Sequence, residues 1–196
     1  MTVMGDIPST ANMVSSIIVS PQPGQDIAPD TDFKIQVKML NLNAGSFTNP
    51  ANTYYAAPQA LQGGKIVGHT HVTVQDLGGS LTPTNPPNAD TFTFFKGIND
   101  AGDGNGGLEA DVAGGLPAGF YRVCTMASAS NHQPVLMPIA QRGAQDDCTK
   151  FTVGQGNAGA GNAGAGNAGA GNAGAGGNNN NTGNAGGNNQ VFRDSS

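Results

Sequence analysis

The stretch Gly68-His69-Thr70-His71-Val72-Thr73-Val74 decides how this chain folds. It reads as a β-strand, in which successive side chains point to opposite faces. His69, His71, Thr73 and Gln75 therefore share one face, and Thr70, Val72 and Val74 share the other. The valines require a core. The histidines are left to face solvent, a cleft or a metal ion. The strand is expected from Ile66 to Leu77, where Gly78-Gly79 ends it.

Outward from this strand the same grammar repeats. Phe33 to Met39 alternates strictly, with Phe33, Ile35, Val37 and Met39 inward and Lys34, Gln36 and Lys38 toward water. Val14 to Val19 is a short β-branched run closed by Ser20-Pro21-Gln22-Pro23-Gly24. Thr91–Phe95, Leu108–Val112, Phe120–Met126 and Thr149–Val153 are further expected strands. No segment sustains a helical period. The expected fold is all-β, an antiparallel β-sandwich of immunoglobulin-like or Greek-key type over residues 12–153. A flexible N-terminus, 1–11, precedes it, and a Gly/Asn/Ala-rich tail, 154–196, follows. The tail repeats Gly156-Asn-Ala-Gly-Ala through Ala175 and has no apolar surface to bury, so disorder is expected there. It also holds one glycosylation sequon, at Asn180.

Composition excludes several classes. Only 11% of the 196 residues are charged, and the net charge is -5. Such a chain lacks the basic footprint of a nucleic-acid binder. No apolar run approaches the length of a membrane span. The first residues carry neither a basic nor an apolar leader segment, so no secretory signal is read there. Cys124 and Cys148 each sit beside a strand-like run, which suits a disulfide in a secreted β domain. Such a bridge would contribute roughly 3–3.5 kcal/mol on the chain-entropy argument. Two buried free thiols are the alternative.

Three constellations could carry chemistry. His69, His71 and His132 are all the histidines present, and together they would make a three-imidazole site for zinc or copper with one position open, as in a metal-binding protein or a small metalloenzyme. Simple hydrogen bonding at a strand and a loop is the competing reading. Tyr54 and Tyr55 lie in the long connection 41–64 and read first as a hydrophobic lid on the sandwich. Their other reading is a platform for ligand stacking, which would suit a module binding polysaccharide of a cell wall. The acidic loop 99–111 offers Asp103 and Asn105 at calcium-loop spacing, but Gly107 follows and no Glu closes the loop, so a solvated turn is expected. There is no Gly-x-Ser-x-Gly elbow and no phosphate-binding loop, and no catalytic residue is assigned.

From Asn12 to Val153 the chain resembles a family of small secreted fungal proteins without an established activity. Five blocks carry the resemblance. They are Met13-Val-Ser-Ser-Ile-Ile-Val-Ser-Pro-Gln-Pro-Gly24, Gly68-His-Thr-His-Val-Thr-Val-Gln75, Gly115-Leu-Pro-Ala-Gly-Phe-Tyr-Arg-Val-Cys124, Asn131-His-Gln-Pro-Val-Leu-Met-Pro138 and Gln141-Arg-Gly-Ala-Gln-Asp-Asp-Cys148. The resemblance implies a secreted or cell-wall fungal antigen, non-enzymatic, with host antibodies or immune receptors as partners. It supplies no catalytic residues.

Overall fold

The computed structural model describes residues 4–156. The repeat tail and Asn180 lie outside them. Among the described residues ten strands make two sheets. The smaller sheet has the order β1 (Ser15–Ser20), β3 (Phe33–Leu40), β8 (Gly107–Val112). The larger follows the path β2 (Asp26–Ile27), β10 (Cys148–Val153), β9 (Gly119–Ala129), β6 (Lys65–Asp76), β4 (Leu42–Asn43). β5 (Leu61–Gln62) and β7 (Phe94–Ile98) also pair with β6. Pairing is antiparallel except for two short parallel contacts, β2 with β10 and β4 with β6. Among the described residues, helix is limited to single turns at Thr10–Asn12 and Pro50–Thr53.

The alternation read from the sequence places the core. β3 sends Ile35, Val37 and Met39 inward, and β8 sends Leu108, Ala110 and Val112. The facing sheet answers with Val72, Val74, Ile98, Val123, Phe151 and Val153. Tyr121 and Phe151 stack within this layer, with ring centroids 5.7 Å apart. Lys34 and Glu109 face outward from the smaller sheet and pair there at 2.7 Å.

β6 is the hub. It pairs with β9 from Gly68↔Ala129 to Asp76↔Tyr121 and with β7 along its other edge. It starts from a two-residue hairpin, Gly63-Gly64, whose positive φ values of 59° and 80° match the tight turn that two antiparallel strands need. Gly68 is required for a different reason. A Cβ there would stand 1.9 Å from the Ser128 carbonyl oxygen, so only glycine lets β6 and β9 approach this closely.

Three expectations are corrected. The strand expected at Thr91–Phe95 lies at Phe94–Ile98, because Asn88 to Thr91 is a turn whose two carbonyls are bound by Gln75 Nε2. β9 runs past Met126 to Ala129, since its Ser/Ala end continues the ladder opposite Gly68 and His69. The connection 41–64 is not featureless but holds β4, the Pro50–Thr53 turn and β5.

Candidate metal centre

The face of β6 that carries the histidines, which solvent, a cleft or a metal ion could have met, is covered: His69 is fully buried and His71 is 8% exposed. Two segments cover them. The first is the chain between β4 and β5. Its Ser46 N–H donates to the Gly68 carbonyl at 3.1 Å, and its Thr48 N–H donates to the Ser130 carbonyl at 3.0 Å. The second is the turn that ends β9. There the His132 N–H donates to the Ala129 carbonyl at 2.9 Å, and the Ala129 N–H donates to the Gln133 carbonyl at 2.8 Å. This three-residue turn, Ser130-Asn131-His132, puts its last residue in the left-handed region, with His132 at φ 67°. Asn131 clamps the two segments together, its Nδ2 donating to Thr48 Oγ1 and to the Thr53 carbonyl at 3.0 and 2.9 Å.

The result is that all three histidines converge. His69 Nε2 lies 3.1 Å from His71 Nε2 and 3.2 Å from His132 Nδ1. One ligating nitrogen from each ring falls within 4.8 Å of the others. Nitrogens bound at 2.0–2.1 Å around a tetrahedral ion stand about 3.3 Å apart, so the spacing is that of a ligand set.

The remaining ring nitrogens fix the tautomers. His69 Nδ1 faces the Ser46 carbonyl at 3.1 Å, and His132 Nε2 faces the Thr48 carbonyl at 2.7 Å. A carbonyl only accepts, so both of these nitrogens carry protons. In the neutral rings His69 Nε2 and His132 Nδ1 are then bare, and two lone pairs face each other. A proton or a metal ion between them would relieve this repulsion. At His69 protonation is opposed. Burial, then the charges that His71 and His132 would carry, push His69 down to about 4 against the pull of the Ser46 carbonyl. Burial and His132 likewise hold His71 below its ordinary range. His71 Nδ1 is buried without a well-formed hydrogen bond, and the nearby Met126 carbonyl only partly opposes that shift. Backbone carbonyls that accept the far N–H of a ligating histidine are a usual second layer of a metal site.

A cleft of about 410 Å³ opens onto His71 and His132. Tyr54, Tyr55, Phe95 and Met126 line it. The rings form a run. Phe95 stacks on His71 with centroids 5.2 Å apart, His71 on His132 at 5.4 Å, His132 on Tyr54 at 6.0 Å, and Tyr54 on Tyr55 at 4.3 Å. Residues 16–154, the whole sandwich with its three histidines and both cysteines, match the CLU5d N-terminal domain. The chain belongs to that family. It is also 65% identical over 153 residues to pathogenicity cluster 5 protein d of the fungus Colletotrichum graminicola, a match covering 78% of this chain and 32% of that protein. The chain thus spans about a third of the length of that curated relative.

Within this CLU5d N-terminal domain the other expected residues fall as follows. Cys124 and Cys148 stand directly opposite in the β9–β10 register and are bridged. Tyr54 and Tyr55 do not press down as a lid. They stack on each other at the rim of the cleft, just after the Pro50–Thr53 turn, and are more than half exposed. Asp103 is a loop staple rather than a cation ligand, its Oδ1 accepting from the Asn105 and Gly107 N–H groups at 2.8 and 2.7 Å. A concavity of about 600 Å³ lies on the smaller sheet among the paired Lys34, Lys38, Asp103 and Glu109, away from the histidines. Sequence reasoning missed Ser46, Thr48 and Phe95. The first two act through backbone carbonyls, which every residue has and no sequence marks.

Proposed function

We propose that this domain is the metal-binding module of an extracellular fungal protein, holding one zinc or copper ion through His69 Nε2, His71 Nε2 and His132 Nδ1. The observation that carries this is the pair of ring nitrogens 3.2 Å apart, each of which the carbonyl behind its ring leaves bare when the ring is neutral. Three protein ligands leave a position open toward the cleft. The test is elemental analysis and calorimetric titration of the purified chain with Zn²⁺ and Cu²⁺. One equivalent should bind, each His→Ala variant should weaken it, and the melting temperature should rise with metal by mass action. Absence of heat at micromolar protein, with equal melting in chelator, would sink the proposal.

The name of the relative supports a virulence-associated setting for the module. The size and the Gly-Asn-Ala-Gly-Ala tail resemble the Coccidioides-specific antigen, which supports a secreted or wall-associated antigen met by host antibodies or immune receptors. One observation also favours wall polysaccharide as a ligand: Tyr54 and Tyr55 are exposed aromatics at the mouth of the cleft. Pull-down on insoluble fungal polysaccharide should retain the chain and lose the Tyr54→Ala/Tyr55→Ala variant. Equal retention of both would remove this second reading.

A further inference from the structure

We infer that the resident ion is copper in its cuprous state and that the Met126 thioether supplies its fourth contact. This rests on the three-histidine reading above. The first argument is charge. Among the described residues no carboxylate joins the three imidazoles. Asp146, the acid of the cleft, has its Oδ1 committed to the Ala127 N–H at 2.7 Å and to Thr125 Oγ1 at 3.1 Å. A buried set of neutral ligands leaves the whole charge of the ion uncompensated, and the desolvation cost grows with the square of that charge. A monovalent ion suits such a site better than a divalent one.

The second argument is position. Met126 stands directly opposite His71 in the β6–β9 register, so both side chains rise from the same face of the sheet. The hydrogen bonds from Arg122 to Gln75 Oε1, at 3.1 and 2.7 Å, join another directly opposed pair on that face, Gln75↔Arg122, and confirm the orientation. On the other side of His71 the opposed residue is Gly97, which has no side chain to offer. Met126 is therefore the ligating group that the sheet places beside His71, in the cleft that His71 and His132 also line. Met126 is 45% exposed, so its side chain is not sealed in the core.

The third argument is softness. Thioether sulfur prefers Cu(I) to zinc, whereas imidazole accepts either. The structure thus carries a group that discriminates between the two metals the histidines alone would admit.

The full chain, its Met126→Leu variant and its His71→Ala variant would be titrated anaerobically against a chromophoric Cu(I) chelator, and separately with Zn²⁺. Leucine keeps the volume at an exposed site, and circular dichroism should show an unchanged fold. Met126→Leu should weaken Cu(I) about tenfold or more while leaving zinc within about twofold, and His71→Ala should weaken both. X-ray absorption of the Cu(I) form should show a copper–sulfur shell that Met126→Leu lacks. An equal Cu(I) affinity in Met126→Leu, or no sulfur shell in the unmodified chain, overturns the inference while the histidine site stands. If the unmodified chain binds neither metal, the histidine reading falls, and this inference falls with it.

Discussion

His132 occupies a conformation that an L-residue adopts at a cost of roughly 1–2 kcal/mol, and a glycine would adopt without that cost. Stability alone would favour glycine at φ 67°, so the imidazole is retained against its backbone preference. His132→Gly and His132→Ala should both weaken metal uptake. In chelator, however, the glycine variant should be more stable than the alanine variant by about 1 kcal/mol, read by urea denaturation. Equal stabilities would show that the turn is not strained. His69 gives a pH dependence with a definite sign. Its folded value is pushed down to about 4, below the ordinary 6.5 of an unfolded chain. Between those values the unfolded chain binds a proton that the folded one refuses, so this contribution to stability is full above pH 6.5 and is lost as the pH falls toward 4. The metal-free domain should melt at lower temperature at pH 5 than at pH 7, and His69→Gln should flatten that difference. Metal uptake should persist somewhat below pH 6.5 for the same reason, because the proton competes poorly for this ring.

At the scale of elements, the site is a strand covered by a clamped loop. Asn131 holds that clamp, and it is 8% exposed. Asn131→Ala should cost about 1–2 kcal/mol through the two lost hydrogen bonds. It should also weaken metal binding by about tenfold, because the Thr48 carbonyl would no longer be held behind His132. A variant that loses stability but keeps its affinity would show that the loop is cover and nothing more. The strands that build this arrangement were legible where one face is core and the other is water, as in β3 and β8, since burial then prints itself as alternation. The register of β6 was legible too, and with it the shared face of His69 and His71. The start of β7 was not, because Thr91-Phe92-Thr93 has strand composition but its backbone is spent on a turn that Gln75 binds from β6. Nor was the arrival of His132. Its sequence distance to His69 is bridged by a turn geometry and by carbonyls of Ser46 and Thr48, neither of which a residue type announces.

At the scale of the molecule, the bridge Cys124–Cys148 closes the segment that carries the His132 turn, so one covalent link fixes β10 to β9 just beyond the site. Peptide mapping without reduction should recover a single linked pair. Replacing both cysteines by alanine should cost about 3 kcal/mol. Metal should then raise the melting temperature of the unbridged chain by the same mass-action relation as the bridged one, because neither cysteine belongs to the group that converges on the site. A loss of binding on opening the bridge would instead make it part of the site. The aromatic run has a consequence in optics. The chain has no tryptophan and three tyrosines, so all its near-ultraviolet emission is tyrosine emission. Tyr121 is sealed in the core, whereas Tyr54 and Tyr55 continue the stack of rings that begins at the histidines. A cupric ion among those imidazoles would drain the excited state of the two stacked phenols, and a closed-shell zinc ion would not. The protein therefore carries its own lamp beside the site, which dims for cupric copper and stays lit for the closed-shell cuprous and zinc ions.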